Sequence, residues 1–162
     1  MTEKDLLRTA AFAAARRSHD PRTQNGAVLV PSGGWMPVAV AANHYPVRWW
    51  AAGSRLEAPE KYRYIEHAER AVIYKAAACG QATEGSTLYC PWFACTDCAR
   101  AIICAGVAAV VGHEAARART PSRWAGEVAA AESMLTDAGV AMRWLGGTLG
   151  VSILFDGEKL EL

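Results

Sequence analysis

The sequence predicts a single α/β domain whose sheet joins an antiparallel hairpin to a parallel portion. The chain has 162 residues, of which 52% are apolar, so it can bury the core of one domain. Two apolar segments near the N-terminus flank a Pro-Ser-Gly-Gly turn, which is typical of a hairpin. After residue 66, strand and helix signals alternate, which is typical of parallel strands covered by helices. No repeat or linker interrupts this order, so residues 1–162 are interpreted as one domain.

The first part of the chain predicts a helix and the hairpin. Residues 3–18 carry an apolar face that is typical of a helix. The segment SHDPRTQNG contains Asp-Pro and Asn-Gly, both of which are turn signals. AVLV then predicts a strand, and MPVAVAAN predicts the strand that returns beside it. Residues 43–64 form a long aromatic and basic connection, and connections of this length are usually functional or mobile.

The second part of the chain predicts three more helices. They cover residues 66–79, the segment CTDCARAIICAG closed by Gly106, and residues 122–138, opened by Ser122 and closed by Gly139. STLYCPW and VAAVVG predict strands between the helices, and VAMRWL and VSILF predict the final strands.

Charge and composition exclude several classes of function. The chain carries 17 basic and 16 acidic residues, without a lysine-rich tract, which argues against a long nucleic acid as partner. Its longest apolar run is far shorter than the roughly 18 residues of a membrane helix. The charged N-terminus lacks the layout of a signal peptide, so a cytoplasmic location is expected. Five cysteines, an odd number, then indicate metal binding or free thiols in place of a disulfide framework.

One histidine and two cysteines form a candidate metal site. Cys95 and Cys98 are three residues apart at the predicted start of a helix, so both sulfurs project the same way. The free N–H groups of a helix start also favour thiolates. His67 can supply the third ligand. Zinc prefers thiolate and imidazole ligands, and a catalytic zinc site has three protein ligands and one position for water.

Glu69 follows His67 by two residues, which sets its predicted role. In the middle of a helix this spacing would separate the side chains by about 200°. At the first turn, however, both can reach a centre beyond the helix end. A carboxylate beside a zinc-activated water can take its proton and pass it to a substrate. Glu69 is therefore predicted to be a general acid and base and not a ligand.

Other interpretations of these residues stay open at this point. A lone C-x-x-C also occurs in redox pairs and in structural zinc sites, and a structural site would need a fourth cysteine or histidine. The residues that could complete such a site are Cys90, Cys79, Cys104, His113, His44 and His19. The cysteines among them are more often plain core residues.

Several segments resemble the zinc-dependent cytidine deaminase superfamily, especially its deoxycytidylate (dCMP) deaminases. The signature H-x-E followed by P-C-x-x-C is matched by HAE at residues 67–69 and CTDC at residues 95–98. The segments DPRTQNGAVLV, NHYPV, PEKYRYIEHAERAVIYKAA and WFACTDCARAIICAGVAAVV look like successive blocks of these enzymes. Ala94 stands where the family usually has proline. Ala42 and Arg48 stand where some members have the glycines of an effector-binding loop.

This resemblance implies a three-layer α/β/α fold with a mixed five-stranded sheet. It also implies that His67, Cys95 and Cys98 bind Zn²⁺. Glu69 would protonate the ring nitrogen N3, assist the attack on C4 and deliver a proton to the departing ammonia.

Substrate contacts follow from the same resemblance. The backbone N–H of Ala68 would hold the cytosine O2, and Asn43 would contact the sugar. The carbonyl of Trp92 or Phe93 would accept a hydrogen bond from the exocyclic amine.

A free nucleotide is the expected substrate, and its phosphate would need cations beside the pocket. Loop arginines that could supply them are Arg22, Arg48, Arg117, Arg119 and Arg123. Trp124 either stacks on the base or anchors the last helix. Trp49 and Trp50, with neighbouring arginines, suit either a groove for a polymer or a sheet edge and subunit contact, and the second is favoured.

Two hypotheses of different class follow. The first is an enzyme that converts dCMP, or a related cytosine nucleotide, to dUMP and ammonia. Other substrates within this class are modified cytosine, dCTP, a guanine- or pterin-like base and, less favoured, tRNA adenosine. The second hypothesis is a non-catalytic, zinc-stabilised module that binds nucleotides. By analogy with the family, a homo-oligomer, either dimer or hexamer, is expected.

Overall fold

A mixed five-stranded sheet runs through the centre of the computed structural model, which describes residues 1–162. Its strands are β1 (Gly26–Val30), β2 (Ala39–Ala42), β3 (Thr87–Tyr89), β4 (Ala109–His113) and β5 (Ala141–Leu145). They lie in the order β2-β1-β3-β4-β5. β1 is antiparallel to both β2 and β3, whereas β3, β4 and β5 are parallel. The predicted combination of a hairpin with a parallel portion is confirmed.

Helices cover both faces of this sheet. They are α1 (Glu3–Arg17), α2 (Lys61–Tyr64), α3 (Ala68–Ala78), α4 (Thr96–Cys104), α5 (Glu114–Ala118) and α6 (Ser122–Asp137). One core cluster joins the sheet to α3, α4 and α6, and a second joins it to α1 and α5. The three-layer α/β/α arrangement is therefore confirmed. None of the helices combines the length and apolar composition that crossing a bilayer requires.

Strand β1 is buried along its whole length because both faces are covered. Ala27 and Leu29 belong to the cluster with α3, α4 and α6, whereas Val28 and Val30 belong to the cluster with α1. This alternation follows from the opposite directions of successive strand side chains. It explains why the strand is apolar throughout, as central strands with two covered faces usually are.

Gly26 lets helix α1 approach the start of β1 more closely than any other residue would. A Cβ atom at this position would lie 2.2 Å from the Ala10 carbonyl oxygen and 2.6 Å from the Ala14 nitrogen. The Asn-Gly pair predicted a turn, and that interpretation is wrong: Gly26 is the first residue of β1. Close packing against α1 accounts for the glycine and leaves Asn25 directly before the first residue of β1.

A C-terminal hairpin lies apart from the main sheet. The predicted strand VSILF forms β6 (Ser152–Phe155), which pairs with β7 (Glu158–Glu161), a strand that the sequence did not predict. Asp156 and Gly157 form the turn, with φ of 54° and 85°. Ile153, Phe155 and Leu160 join the core cluster of α1. The hairpin thus completes the layer that α1 begins.

The long connection between β2 and α3 is folded against the domain. It contains two short 3-10 turns, at Arg48–Trp50 and Gly53–Leu56, followed by α2. Trp50 packs edge-on against Tyr64, with ring centroids 5.4 Å apart, whereas Trp49 is 79% exposed. This connection forms one wall of the cavity described next.

Candidate metal centre and substrate cavity

The starts of helices α3 and α4 bring the predicted metal ligands together. His67 is the residue that caps α3, and Cys95 is the residue that caps α4. Both have extended backbone, and neither side chain accepts a capping hydrogen bond from the backbone of its own helix. Their side chains are therefore free to point at a common centre beyond the helix ends. Cys98, in the first turn of α4, points at the same centre and is buried.

The three donor atoms form a triangle of the size that zinc requires. The Cys95 sulfur lies 3.5 Å from both His67 Nδ1 and the Cys98 sulfur, and the remaining edge measures 3.6 Å. With bonds of about 2.3 Å to sulfur and about 2.0 Å to nitrogen, tetrahedral zinc has edges of about 3.5–3.8 Å. The donor set and its dimensions therefore fit a zinc ion bound through Nδ1 of the histidine.

No fourth side chain completes this group. His67, Cys95 and Cys98 are the only histidine, cysteine or acidic residues that converge on one point. Cys90, the nearest alternative in sequence, is fully buried and donates its S–H to the Trp92 carbonyl at 3.2 Å. Cys79 and Cys104 are exposed. A site with three protein ligands corresponds to catalytic zinc centres and not to closed structural ones.

Glu69 lies in the first turn of α3, 3% exposed, and lines the same cavity as His67 and Cys95. One carboxylate oxygen, Oε2, is buried without a hydrogen-bond partner. Burial is the main cause that raises the pKa of this carboxyl to about 7, with Cys95 adding to the increase and His67 opposing it. A buried carboxyl with a free oxygen can accept and return a proton, which is the role that the sequence analysis expects of Glu69.

The cavity beside these residues measures about 730 Å³ and is lined by 20 residues. This volume is within the range of small-molecule sites. Of the residues predicted to contact substrate, Asn43, Trp92, Phe93, Arg123 and Trp124 line it.

Ala68 does not line the cavity, and its predicted contact needs correction. The side chain is fully buried, and the backbone N–H donates to Asn43 Oδ1 at 2.9 Å. Asn43 in turn donates from Nδ2 to the Thr23 carbonyl at 3.0 Å. The N–H expected to hold the cytosine O2 therefore has a partner within the chain. The reason is that a buried N–H needs an acceptor, and the Asn43 amide supplies one.

The two candidate carbonyls of the loop before Cys95 differ in their partners. The Trp92 carbonyl accepts from Asn25 Nδ2 at 2.6 Å and from the Cys90 thiol at 3.2 Å. The Phe93 carbonyl accepts from no group of the chain. The Phe93 ring stacks on Trp144, with centroids 5.5 Å apart, which fixes the loop against the core. Of the two carbonyls, that of Phe93 is the one left to accept from a bound amine.

Arg123 lines the cavity but is paired to the C-terminal hairpin. Its guanidinium donates to both carboxylate oxygens of Asp156, with Nη1 at 2.9 Å from Oδ2. Arg22, on the opposite side, donates to the Asp156 carbonyl at 3.3 Å and lies 3.8 Å from its carboxylate. We call Arg22 and Arg123 the cavity arginines. Trp124 packs edge-on against Tyr62, with ring centroids 5.5 Å apart, at the cavity wall.

The other arginines proposed from sequence do not reach the cavity. Arg117 binds Glu132 and lies over the Trp144 ring, and Arg119 binds Glu158. Arg48 belongs to the first 3-10 turn and also lies outside the lining. These three expectations are wrong. The ion pairs of Arg117 and Arg119 hold their side chains outside the cavity. Arg48 lies in a part of the 43–64 connection that does not line the cavity.

A buried ion pair in the cavity wall was not predicted from the sequence. Lys61 Nζ lies 3.0 Å from both carboxylate oxygens of Asp20, and both side chains are 6% exposed. Asp20 Oδ1 also accepts from the backbone N–H groups of Arg22 and Thr23 at 2.9 Å. The Asp-Pro sequence indicated only a turn. The lysine carried no signal, because a lysine in a polar segment is normally exposed.

The residues of the candidate metal centre lie in the part of the chain that matches a known family. The family model for the cytidine and deoxycytidylate deaminase zinc-binding region matches residues 1–114. Human deoxycytidylate deaminase is 33% identical over 113 residues, covering 66% of this chain and 62% of that protein. An uncharacterized deaminase of the luxG 3′ region of Aliivibrio fischeri is 32% identical over 128 residues, covering 79% and 83%. The chain therefore spans less than two thirds of the human enzyme that it matches.

Solved structures show the same fold. The dCMP deaminase of cyanophage S-TIM5 superimposes with a TM-score of 0.67 at 21% identity, covering 88% of this chain and 96% of that one. A diaminohydroxyphosphoribosylaminopyrimidine deaminase/reductase of Thermotoga maritima gives a TM-score of 0.63 at 21% identity, covering 88% of this chain and 36% of that one. At these identities the likeness concerns the architecture alone.

Proposed function

We propose that this chain, which belongs to the cytidine and deoxycytidylate deaminase zinc-binding family, hydrolytically removes the 4-amino group of a free cytosine nucleotide. The preferred substrate is dCMP, which would give dUMP and ammonia. The observation that carries the proposal is the unpartnered oxygen of Glu69, which lines the same cavity as His67 and Cys95 of the three-donor group. A metal site with an open position and a free acid beside it are the two requirements of this chemistry.

In this proposal His67, Cys95 and Cys98 hold the zinc ion. Two thiolates and a neutral imidazole balance the charge of the divalent ion. When bound in a three-ligand site, zinc acts as a Lewis acid that makes water nucleophilic near neutral pH.

Glu69 moves the protons. Its free Oε2 takes a proton from the attacking water and passes it to ring N3, which makes C4 electrophilic. Once the C4–O bond has formed, the proton of the new C4 hydroxyl travels through the same carboxylate to the 4-amino group. The C4–N bond then breaks, ammonia leaves, and the ring keeps a carbonyl at C4. Water and cytosine are consumed and uracil and ammonia are formed, so atoms and charge balance.

Two further groups orient the base and sugar. The Phe93 carbonyl, which has no partner in the chain, accepts from the exocyclic amine. Asn43 lines the cavity beside Glu69 and contacts the sugar, provided that its amide exchanges the Thr23 carbonyl for a hydroxyl. Trp124 also lines the cavity, and in this proposal its ring covers the base.

The cavity favours a small free substrate over a polymer. Its lining includes residues of the 43–64 connection and of α6. Basic and acidic residues are balanced overall, so long nucleic acid gains few phosphate contacts. In this proposal the cavity arginines receive the single phosphate of dCMP.

A second candidate substrate is a cytosine compound without phosphate. Each cation that lines the cavity, other than the metal-binding His67, already has a carboxylate partner, because Asp156 holds both cavity arginines and Asp20 holds Lys61. A phosphate would have to displace or join Asp156. This pairing favours deoxycytidine or a modified cytosine nucleoside as the runner-up.

The activity test uses zinc-loaded protein and a panel of deoxycytidine, dCMP, dCDP and dCTP, with ammonia release as the readout. Glu69→Gln should lower kcat for the best substrate by roughly 10²–10⁴-fold while the zinc content stays that of the wild type. Removal of zinc with a chelator should abolish turnover, and added zinc should restore it. Glu84→Gln, which alters an exposed carboxylate outside the cavity, should change neither quantity.

The opposite outcomes are equally specific. Unchanged ammonia release by Glu69→Gln would contradict its assignment as the acid and base. Zinc-loaded wild type that deaminates no member of the panel would favour the non-catalytic nucleotide-binding module.

We also propose that the protein is cytoplasmic and acts as a homo-oligomer, either dimer or hexamer. Five free cysteines suit a reducing compartment. Trp35, Met36 and Trp49 are 71%, 67% and 79% exposed, and a subunit contact would cover them. Light scattering at micromolar concentration tests the assembly, and the mass of a single chain would contradict it.

A further inference from the structure

Asn25 is a buried polar residue in the cavity wall that the proposed chemistry does not use. It directly precedes β1, is 3% exposed and lines the cavity together with Glu69. Its backbone position is fixed, because α1 packs against the adjacent Gly26 without room for a Cβ atom. The side chain therefore cannot leave the wall by a small shift of the strand.

The amide orientation of Asn25 is determined by its neighbours. Nδ2 donates to the Trp92 carbonyl at 2.6 Å and to the Cys90 sulfur at 3.2 Å. A flipped amide would oppose its oxygen to the carbonyl oxygen of Trp92 at the same short distance. Because two acceptors repel, the nitrogen must face Trp92, and Oδ1 must face the other way.

The Oδ1 atom has no partner in the chain. Only two buried side-chain nitrogen or oxygen atoms in the whole protein lack one, and they are Asn25 Oδ1 and Glu69 Oε2. Both residues line the same cavity. Cys90 lies between the two residues in its interactions. Its sulfur accepts from Asn25 Nδ2, and its pKa is raised mainly by burial and further by the charge of the Glu69 carboxylate. An unmet buried acceptor is unfavourable, so a bound molecule that brings a donor gains affinity.

The chemistry of the base identifies that donor. A neutral cytosine attached through N1 has a single N–H donor group, the 4-amino group, whereas N3 and O2 are acceptors. Resting on the function proposed above, we propose that Asn25 Oδ1 accepts a hydrogen bond from the 4-amino group and makes Asn25 a specificity-determining residue. The Phe93 carbonyl and Asn25 would then each accept one of the two amino hydrogens.

The same contact favours release of product. In uracil, C4 carries a carbonyl oxygen in place of the amine. That oxygen and Asn25 Oδ1 are both acceptors, so they repel each other once ammonia has left. Asn25 therefore discriminates between an amino and an oxo group at C4.

Binding measurements separate this role from a structural one. The host is zinc-loaded Glu69→Gln, which should bind ligands without turnover, and the probes are dCMP and the corresponding 2-pyrimidinone nucleotide, which lacks the 4-amino group. Adding Asn25→Leu removes the acceptor at similar volume. The Kd of dCMP should rise roughly three- to tenfold, whereas that of the 2-pyrimidinone nucleotide should stay the same.

Two further variants keep the result interpretable. If Asn25→Leu does not fold, Asn25→Ala takes its place and should show the same rise in the Kd of dCMP alone. Asn25→Asp, whose protonated carboxyl offers a donor to Trp92 and an acceptor to the cavity, should restore the lower Kd of dCMP. Equal losses for both ligands would overturn the inference, because Asn25 would then merely support the Trp92 loop. An unchanged Kd for dCMP would overturn it as well.

Failure of the proposed function gives a different pattern. If wild type releases no ammonia from any cytosine compound, yet Asn25→Leu still raises the Kd of dCMP and not that of the 2-pyrimidinone nucleotide, the activity is wrong and the binding role stands. If wild type is an active deaminase and Asn25→Leu changes both Kd values equally or changes neither, only the role of Asn25 is refuted.

Discussion

Replacing Lys61 by methionine tests the buried ion pair in the cavity wall. The substitution keeps the length and apolar stem of the side chain but removes the ammonium group. Lys61 Nζ lies 3.0 Å from both oxygens of Asp20, and each side chain is 6% exposed. After the change, the Asp20 carboxylate stays buried without a counter-ion.

The expected cost follows from what Asp20 retains. Breaking a buried pair by removing one partner costs about 3–5 kcal/mol. Asp20 keeps hydrogen bonds from the N–H groups of Arg22 and Thr23, each at 2.9 Å, so the lower end applies, about 3 kcal/mol. For a domain of this size, 1 kcal/mol shifts Tm by about 2–4 °C, so Tm should fall by roughly 6–12 °C.

Thermal and urea unfolding of three proteins measure the effect. They are wild type, Lys61→Met, and Lys61→Met combined with Asp20→Asn, in which neither charge is left unpaired. The double variant should recover at least half of the lost free energy, because the cost arises from the stranded charge and not from the missing contact. A single variant within about 1 kcal/mol of wild type, or a double variant less stable than the single one, would refute the reasoning.

The stability prediction also reaches the site. The Asp20 carboxylate positions the Thr23 segment, the Thr23 carbonyl accepts from Asn43, and Asn43 accepts from Ala68 beside the metal-binding histidine. Loosening the first link should therefore disturb the Asn43 amide, which is proposed to contact the sugar. KM should rise more than kcat falls, since the metal ligands belong to other elements.

Two further predictions concern the hairpin and the packing of α1. Asp156→Asn should release the cavity arginines and lower the KM for dCMP several-fold relative to the KM for deoxycytidine. Glu158→Gln, which alters a carboxylate of the same hairpin that pairs with Arg119, should not change this ratio. Steady-state kinetics with both substrates measure the ratio. Gly26→Ala should destabilise the fold by about 3 kcal/mol or more, because its Cβ would meet the Ala10 carbonyl oxygen. Gly126→Ala, in an exposed turn of α6 with nothing nearby, should instead stabilise it by about 0.5–1 kcal/mol, and urea unfolding of the two variants should give opposite signs.

The sequence predicted the long elements because periodicity and end signals act locally. Predicted helices at 3–18 and 122–138 correspond to α1 and α6, which each end one residue earlier. β7 was missed because Glu158–Glu161 carries one buried apolar residue, Leu160, among charged ones. Its stability comes from pairing with β6 and packing on α1, neither of which a local pattern shows.

The metal-binding part of the site was also accessible from the sequence. Its three candidate ligands lie at helix starts, where spacing fixes direction, and the structure brings their donor atoms within 3.6 Å of each other. Zinc as the cofactor is confirmed by the family match. The assignment of individual ligands, and of Glu69 as acid and base, stays a proposal that the geometry supports.

The substrate contacts were less predictable because they depend on which partner each polar group finds within the chain. Ala68 and Asn43 were expected to bind base and sugar, yet they bind each other. Arg123 was expected to be available to a phosphate, yet Asp156 holds it from a hairpin whose second strand was not predicted. Residue identity limits what a side chain can bind, but only the tertiary structure shows what it has already bound.

The unpartnered atoms give the opposite information, because they show what the chain leaves for a ligand. Glu69 Oε2 lacks a donor where a proton must pass, and Asn25 Oδ1 lacks one where an amino group must lie. Each unmet buried group costs about 1–3 kcal/mol, and folded proteins rarely retain them. A ligand that donates to Asn25 Oδ1 recovers the free energy of that atom on binding, whereas one that carries an acceptor at the same place does not. The cavity is therefore matched to a base with an amine at C4 more closely than to the base left after its removal.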